Sequence, residues 1–243
     1  LLNLILDQTN VSIEIFRGRP EFILHNQSNC YFFTKMGLLN NFDIESTTSS
    51  FGFKLQKPRN ISYVKEQLLQ KIGLKNSSKI VTINTRSRKL NSGSTNELRS
   101  VDPLTYVDGI QYLISKGYTV IRLGDKNQEK IPQMEGFFDY PTSTFKSEIN
   151  DILIICSADF HIGSSSGISL IPLTFGIPTL MLNWFPRRDI PWGEKTEVVH
   201  KNIFDKINGI KITDDFSLRQ LGNITSERAL SALGLEVKSL TPS

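Results

Sequence analysis

The amino-acid sequence predicts an α/β protein built on a doubly wound parallel sheet. Three observations carry that prediction. Short apolar runs at residues 79–84 (KIVTIN), 118–123 (YTVIRL) and 179–182 read as strands buried in a sheet. Segments between them place apolar residues at helical spacing, most clearly at 61–73 and 147–158. Residues 159–183, DFHIGSSSGISLIPLTFGIPTLMLN, read as strand, glycine-serine turn, helix and strand, the βαβ unit of a parallel sheet.

Taken in order, residues 1–60 are the least legible and are expected to form an N-terminal extension or the remnant of a preceding domain. Within them, SIEIF (12–16) alternates like a strand, RGRP (17–20) reads as a turn, and 40–58 as a linker. Residues 61–243 are expected to form the main domain. Its first helix, 61–73, carries Val64, Leu68, Leu69 and Ile72 on one face and stops at Gly73. The strand at 79–84 leads into a long polar loop with Arg86, Arg88 and Arg99, and long loops in compact domains tend to be functional. Asp102 and Pro103 cap a helix over 104–115. After the strand at 118–123, Gly124-Asp125 turns the chain, and 136–140 is a short strand. Ser147 caps the apolar helix that follows. In the 159–183 unit, residues 168–175 are expected to be helical and Gly176 to end the helix. The aromatic, proline-rich stretch 184–195 holds Arg187 and Arg188. A strand at 209–212 and two weak helices at 217–221 and 225–233 complete the chain.

Composition narrows the function classes. Hydrophobic content of 39% and charged content of 21% are those of an ordinary globular domain. A net charge of +4 suits an anionic small ligand, but no Lys/Arg block is dense enough for a nucleic-acid surface. The two cysteines, Cys30 and Cys156, form no metal-binding spacing, and Cys156 in an apolar helix reads as a buried thiol in a reducing compartment. Asn-x-Ser/Thr sequons at Asn10, Asn26, Asn60, Asn76 and Asn223 read as chance matches in a chain rich in Asn and Ser, with no leader peptide expected. No apolar run approaches the ~20 residues that cross a bilayer. Because it begins at Leu1 without a Met, the sequence is read as part of a longer chain.

Three strand ends draw the functional reading: Thr85-Arg86, Gly124-Asp125 and the turn Gly163–Gly167. Open parallel sheets bind ligands beyond the carboxyl ends of their strands. An arginine there can clamp a phosphate bidentately, and amides of a Ser/Gly turn opening a helix can hold further oxygens. Together they describe a diphosphate site; the plainer alternative makes Arg86 a solvated loop residue and the turn no more than a turn. The same turn fits G-x-S-x-G with Ser165 as a serine nucleophile, the rival enzyme reading. Only His200 lies downstream, with Asp189 or Glu194 as acids, at separations too short for later strands of a hydrolase sheet. His161 reads as a core residue and His25 carries no information. No carboxylate-histidine cluster suggests a metal.

Between Thr85 and Trp184 the chain carries Arg86, Arg99, Asp102, Arg122-Leu123-Gly124-Asp125, Asp139-Tyr140, Gly163, Ser166-Gly167 and Gly176-Ile177-Pro178. In these motifs it resembles a bacterial family of glycosyltransferases of surface-polysaccharide biosynthesis. The pattern is also similar to the nucleotide-sugar half of fucosyltransferase-like GT-B enzymes. Two positions depart from it: Asn84-Thr85-Arg86 stands where the family often has His-x-Arg, and Glu148 where Asp is common. A role for that histidine therefore does not carry over.

The resemblance implies a Rossmann-like GT-B C-terminal domain that transfers a sugar from a nucleotide-sugar donor to a glycan or lipid-linked acceptor. On that reading Arg86 is catalytic, stabilising the departing diphosphate. Arg122, Gly124, Asp125, Asp139, Tyr140, Gly163, Ser164, Ser165, Ser166 and Gly167 hold the nucleotide-sugar, and neither metal nor other cofactor takes part. Asp102, Asp125 and Asp139 are the candidates for the acceptor base. The expected location is the cytoplasm or the inner face of the membrane, with Trp184-Phe185 and Arg187-Arg188 as a peripheral contact. A non-catalytic nucleotide- or glycan-binding module of the same fold is the second class.

Overall fold

The computed structural model describes the backbone at residues 12–15, 21–26 and 29–34. It describes backbone and side chains at 56–73, 79–86, 98–187, 195–222 and 224–240, except the side chains of 215, 216 and 219. The readings for 1–11, the 17–20 turn, most of the 40–58 linker, Arg88, Arg188, Asp189, Glu194 and the side chains of His25 and Cys30 lie outside the described residues.

The chain divides into two compact units, Leu1–Gln56 and Lys57–Ser243. The first holds an antiparallel meander of β1 (Ser12–Ile15), β2 (Glu21–Asn26) and β3 (Asn29–Thr34), with β2 central. Only β1 was legible in the sequence. EFILHN and NCYFFT lack a clean alternation, the cue that marks an antiparallel strand.

The second unit is a six-stranded parallel sheet flanked by helices. Its strands are β4 (Lys79–Asn84), β5 (Tyr118–Leu123), β6 (Phe137–Asp139), β7 (Phe160–Gly163), β8 (Thr179–Trp184) and β9 (Thr196–His200). Their order across the sheet is β6-β5-β4-β7-β8-β9. The chain therefore winds outward from β4 to β6, returns to lay β7 on the other side of β4, and winds outward again. This is the dinucleotide-fold order, and its topological switch point lies between β4 and β7. The pairings fix the register: Ile83 lies opposite Arg122 on β5 and Ile162 on β7.

β4 and β5 are buried along almost their whole length, as central parallel strands require. Val81, Ile83 and Val120 pack with Tyr106 and Ile110, so helix α2 (Val107–Ser115) covers that face. Helix α1 (Ile61–Lys71) packs against α3 (Glu148–Ser157), which contacts β4. The caps are those expected. Gly73 adopts φ +73° after α1, Asp102 accepts the Leu104 N–H at 2.8 Å, and Ser147 accepts the Asn150 N–H at 3.2 Å.

Some expectations change. The helix expected at 104–115 opens as a 3-10 turn, Pro103–Tyr106, before α2 begins. Residues 168–175 form only a 3-10 turn, Gly167–Leu170, and one α-helical turn, α4 (Ile171–Thr174). Pro172 cannot donate an intrahelical hydrogen bond, so the helix does not lengthen. Residues 209–212 contribute a single bridge, Phe204 to Lys211, not a strand. The tail instead pairs β10 (Asn202–Asp205) with β11 (Leu235–Lys238), around α5 (Asp215–Leu221) and α6 (Glu227–Ala232). No described helix is long and apolar enough to cross a membrane.

The most consequential polar contact in the core joins β5 to β6. Arg122, fully buried, donates from Nε to Asp139 Oδ1 at 2.7 Å and from Nη2 to Oδ2 at 2.8 Å, and its Nη1 reaches the Glu129 carbonyl. A bidentate pair satisfies both ions inside an apolar sheet, where either one alone would be costly. Replacing Arg122 by Met, or Asp139 by Asn, is expected to lower unfolding stability by about 3–5 kcal/mol in urea titrations. Replacing both by apolar residues should recover much of that loss.

Candidate functional site

The site begins at the carboxyl ends of β4 and β7, where the chain leaves toward opposite faces of the sheet. Beyond the ends of these buried strands the ladder stops, so side chains complete it. The Arg86 N–H donates to Ser164 Oγ at 2.9 Å, and the Phe185 N–H to Ser165 Oγ at 2.7 Å. Below them, Asn84 Nδ2 donates to Ser169 Oγ at 3.1 Å, fixing the turn after β7 onto β4. The Arg86 carbonyl accepts the Val101 N–H at 3.0 Å, which brings the far end of the polar loop back beside its start.

Gly163 is required by this crowding. A Cβ there would lie 2.6 Å from Ser169 Oγ and 2.9 Å from His161 Nε2. Its role is steric closeness, not an unusual backbone angle.

A cleft of about 570 Å³ opens above the switch point, lined by Asn84, Arg86, Ser166 and Ile168 on the β4–β7 side. The turn after β5 supplies Gly124 through Gln128, the segment entering α3 supplies Lys146, and the first turn of α3 supplies Asp151. Arg86 Nη1 reaches the Ser165 carbonyl at 3.4 Å, which aims the guanidinium along the turn. Partial burial lowers its pKa from the ordinary arginine value, but the group remains a cation. Lys146 is held by Asp151 at 2.5 and 2.6 Å and lies over the Tyr140 ring. Lys126 is exposed at the mouth. The lining thus offers three basic and two acidic side chains, with one pair neutralised.

Of the residues singled out in the sequence, Arg86, Gly124, Asp125 and Ser166 line this cleft. Arg122, Asp139 and Tyr140 do not. Arg122 and Asp139 are consumed by each other in the core. The buried Tyr140 hydroxyl donates to the Ser147 carbonyl at 3.1 Å and accepts the Ser147 N–H at 3.0 Å. They lie behind the walls of the cleft, outside its lining. Gly163 and Gly167 lie outside the lining as well, and the Ser164 and Ser165 hydroxyls point inward.

One amide of the Gly163–Gly167 turn is already engaged within the turn itself. The Ser166 N–H is taken by the Ser164 carbonyl at 2.6 Å, and the short helix behind the turn brings little dipole. The serine-nucleophile reading fails here. Ser165 is fully buried and its Oγ holds the Phe185 amide, so a substrate carbonyl has no approach to it. Of the base candidates, Asp102 caps a helix and Asp139 is paired, whereas Asp125 stands on the cleft, its Oδ1 accepting the Asn127 N–H at 3.0 Å. Gln128, which also lines the cleft, was not singled out: nothing in GDKNQ marks a glutamine as more than a loop residue. Among the described residues no group of three or more His, Cys, Asp or Glu could hold a metal ion.

His161 is fully buried behind the turn, with Nδ1 2.9 Å from Thr82 Oγ1 and Nε2 without a hydrogen-bond partner. It packs within the sheet, against β4.

No family model and no curated protein matches the chain. Solved structures that align with the chain include Escherichia coli ADP-heptose LPS heptosyltransferase II, at 15% identity and a TM-score of 0.45, covering 74% of this chain and 52% of that one. A glycosyl transferase of family 9 from Veillonella parvula aligns at 11% identity and a TM-score of 0.43, with 74% and 52% covered. A third is the Thermosulfurimonas dismutans β-Kdo 2,4 transferase KpsC, at 9% identity and a TM-score of 0.35, covering 88% and 79%. The chain spans about half the length of the first two.

Burial lowers the His161 pKa to about 3 from the ordinary 6.5. The unfolded chain therefore binds a proton that the folded chain refuses between those values. Stability is full above pH 6.5 and falls by about 1.4 kcal/mol per unit as pH drops toward 3. Chemical denaturation across that range should show the slope, and His161→Gln should remove this contribution.

Proposed function

We propose that the cleft binds the diphosphate of a nucleotide-sugar and that the protein is a metal-independent glycosyltransferase of the GT-B kind. The observation that carries this reading is the position of Arg86: a partly buried cation at the switch point of a doubly wound sheet, projecting into an open cleft. That is where such sheets accept nucleotides, and an arginine fork matches phosphate oxygens. The resemblance of residues 85–184 to glycosyltransferases of surface-polysaccharide synthesis supports it.

In the proposed reaction the acceptor hydroxyl oxygen forms a bond to the sugar's anomeric carbon. The bond from that carbon to the diphosphate breaks, and its electron pair leaves on the phosphate oxygen. Arg86 stabilises that developing charge, with Lys126 adding positive potential at the mouth. Ser166 contributes its hydroxyl beside Arg86. Asp125 is the proposed acceptor of the hydroxyl proton, because it alone of the three expected bases lines the cleft. A glycan or a lipid-linked sugar is the proposed acceptor, met at the inner face of the membrane.

Calorimetric titration with UDP, GDP, ADP and CDP, and their sugars, tests the reading. One nucleotide diphosphate should bind well above the others. Arg86→Ala should weaken it roughly ten- to hundredfold, the effect of removing one charge-assisted contact. Binding that ignores Arg86, or no binding by any of them, would overturn the assignment. Asp125→Asn should retain donor binding and lose transfer to the acceptor.

A further inference from the structure

We infer that Gln128 is a positioning residue that sets the orientation of Arg86 by clamping the peptide bond in front of it. The inference rests on the proposed role of Arg86 in the cleft, and it reaches a residue no motif points to. The Thr85–Arg86 peptide group is held at both of its polar ends. Its carbonyl, on Thr85, accepts from Gln128 Nε2 at 3.1 Å. Its N–H, on Arg86, donates to Ser164 Oγ at 2.9 Å. The two clamps come from the two strands that flank β4: Gln128 from the turn after β5, Ser164 from the turn after β7.

The turn that carries Gln128 is shaped to deliver it. The Gln128 N–H donates to the Asp125 carbonyl at 3.2 Å and the Asn127 N–H to Asp125 Oδ1, closing a tight turn over the end of β5. The carboxamide then lies in the space a side chain at position 124 would need. A Cβ on Gly124 would sit 2.2 Å from Gln128 Oε1 and 2.8 Å from Nε2. Gly124 has φ +144°, which a side chain would strain as well. So Gly124, expected to bind the ligand directly, has a second reason to be glycine: it seats the clamp on Thr85.

A peptide plane fixed at both ends leaves the following side chain with one starting direction. The Arg86 carbonyl, bonded to the Val101 N–H at 3.0 Å, fixes the other side of that residue. Preorganising the cation in this way spares the ordering cost when a phosphate binds.

Two measurements on the whole chain test this. The first needs no ligand: amide hydrogen exchange at Arg86, with Ile83 on the same strand as the internal control. Gln128→Met and, separately, Gly124→Ala should speed exchange at the Arg86 N–H by about fivefold or more while Ile83 is unchanged, because one clamp hydrogen bond is worth about that factor. Unchanged protection at Arg86 in both variants overturns the clamp, and a matching rise at Ile83 overturns it in favour of general loosening. The second is a double-mutant cycle read by calorimetry with inorganic pyrophosphate. Gln128→Met should weaken binding roughly fivefold in the natural chain and leave the residual affinity of Arg86→Ala unchanged. Equal weakening in both backgrounds would make Gln128 a direct ligand contact and sink the inference. If the natural chain fails to bind pyrophosphate, the diphosphate reading fails, and the exchange result alone decides for or against the clamp.

Discussion

The structure depends on how the peptide groups at the carboxyl ends of β4 and β8 are satisfied by side chains from the turns after β5 and β7. Inside a parallel sheet each strand completes its neighbours, but at the switch point the chain departs toward opposite faces and the ladder stops. Backbone N–H and C=O groups left there are expensive unless bonded. Ser164 and Ser165 supply the acceptors for the Arg86 and Phe185 amides, and Gln128 supplies the donor for the Thr85 carbonyl. The same contacts that close the sheet also leave the Arg86 side chain at the cleft. Stability and the candidate chemistry are therefore solved by one set of bonds, and a site of this kind forms wherever such an edge can be capped by short side chains.

Two arginines stand three residues apart from equivalence, and their fates differ for electrostatic reasons. Ile83 of β4 lies opposite Arg122 of β5, so Arg86 sits three residues further along, beyond the end of the ladder. Arg122, still within the sheet, is enclosed and must carry its own counter-ion, which Asp139 provides from the neighbouring strand. Arg86 has left the sheet and keeps a path to the cleft. Position along the strand, measured in two or three residues, thus separates a structural ion pair from a cation able to meet a phosphate. This is also why the buried pair matters to the cleft: β6 is a three-residue edge strand, and Asp139 is its last residue. Arg122 ties that residue to the Glu129 carbonyl and so fixes the wall from which α3, Lys146 and Asp151 depart.

The central strands of the main domain were legible because burial on both faces leaves an unbroken apolar run, whereas the half-exposed edge strand β9 was not read. KIVTIN and YTVIRL coincide with β4 and β5 to the residue. The caps at Asp102 and Ser147 were legible for an equally local reason: a short polar side chain has one nearby amide to accept from. Less could be read where the decisive partner is distant in sequence. Nothing local distinguishes Ser164 and Ser165, which hold amides 78 and 20 residues away, from Ser166, which faces the cleft. Arg122 and Asp139 each look like ligand-binding residues until the parallel register of β5 and β6 makes them neighbours. The tail strands β10 and β11, 30 residues apart and short, carry no signal of their own pairing.

The two glycines of the site show how a single residue type in a motif can stand for different constraints. Gly163 has an ordinary backbone, and its missing side chain is filled by Ser169 and His161. Substituting it would push the turn after β7 off β4 and break the Asn84–Ser169 contact. Gly124 has a backbone angle that disfavours side chains, and its missing side chain is filled by Gln128. A sequence pattern registers both as turns with room for a ligand, yet in neither case is the vacant volume open to the cleft. It is occupied by the protein's own polar groups, a hydroxyl and an imidazole in one case and a carboxamide in the other. The glycines therefore shape the cleft at one remove. They let a neighbour come close enough to fix the strand ends, and the fixed strand ends decide where Arg86 points.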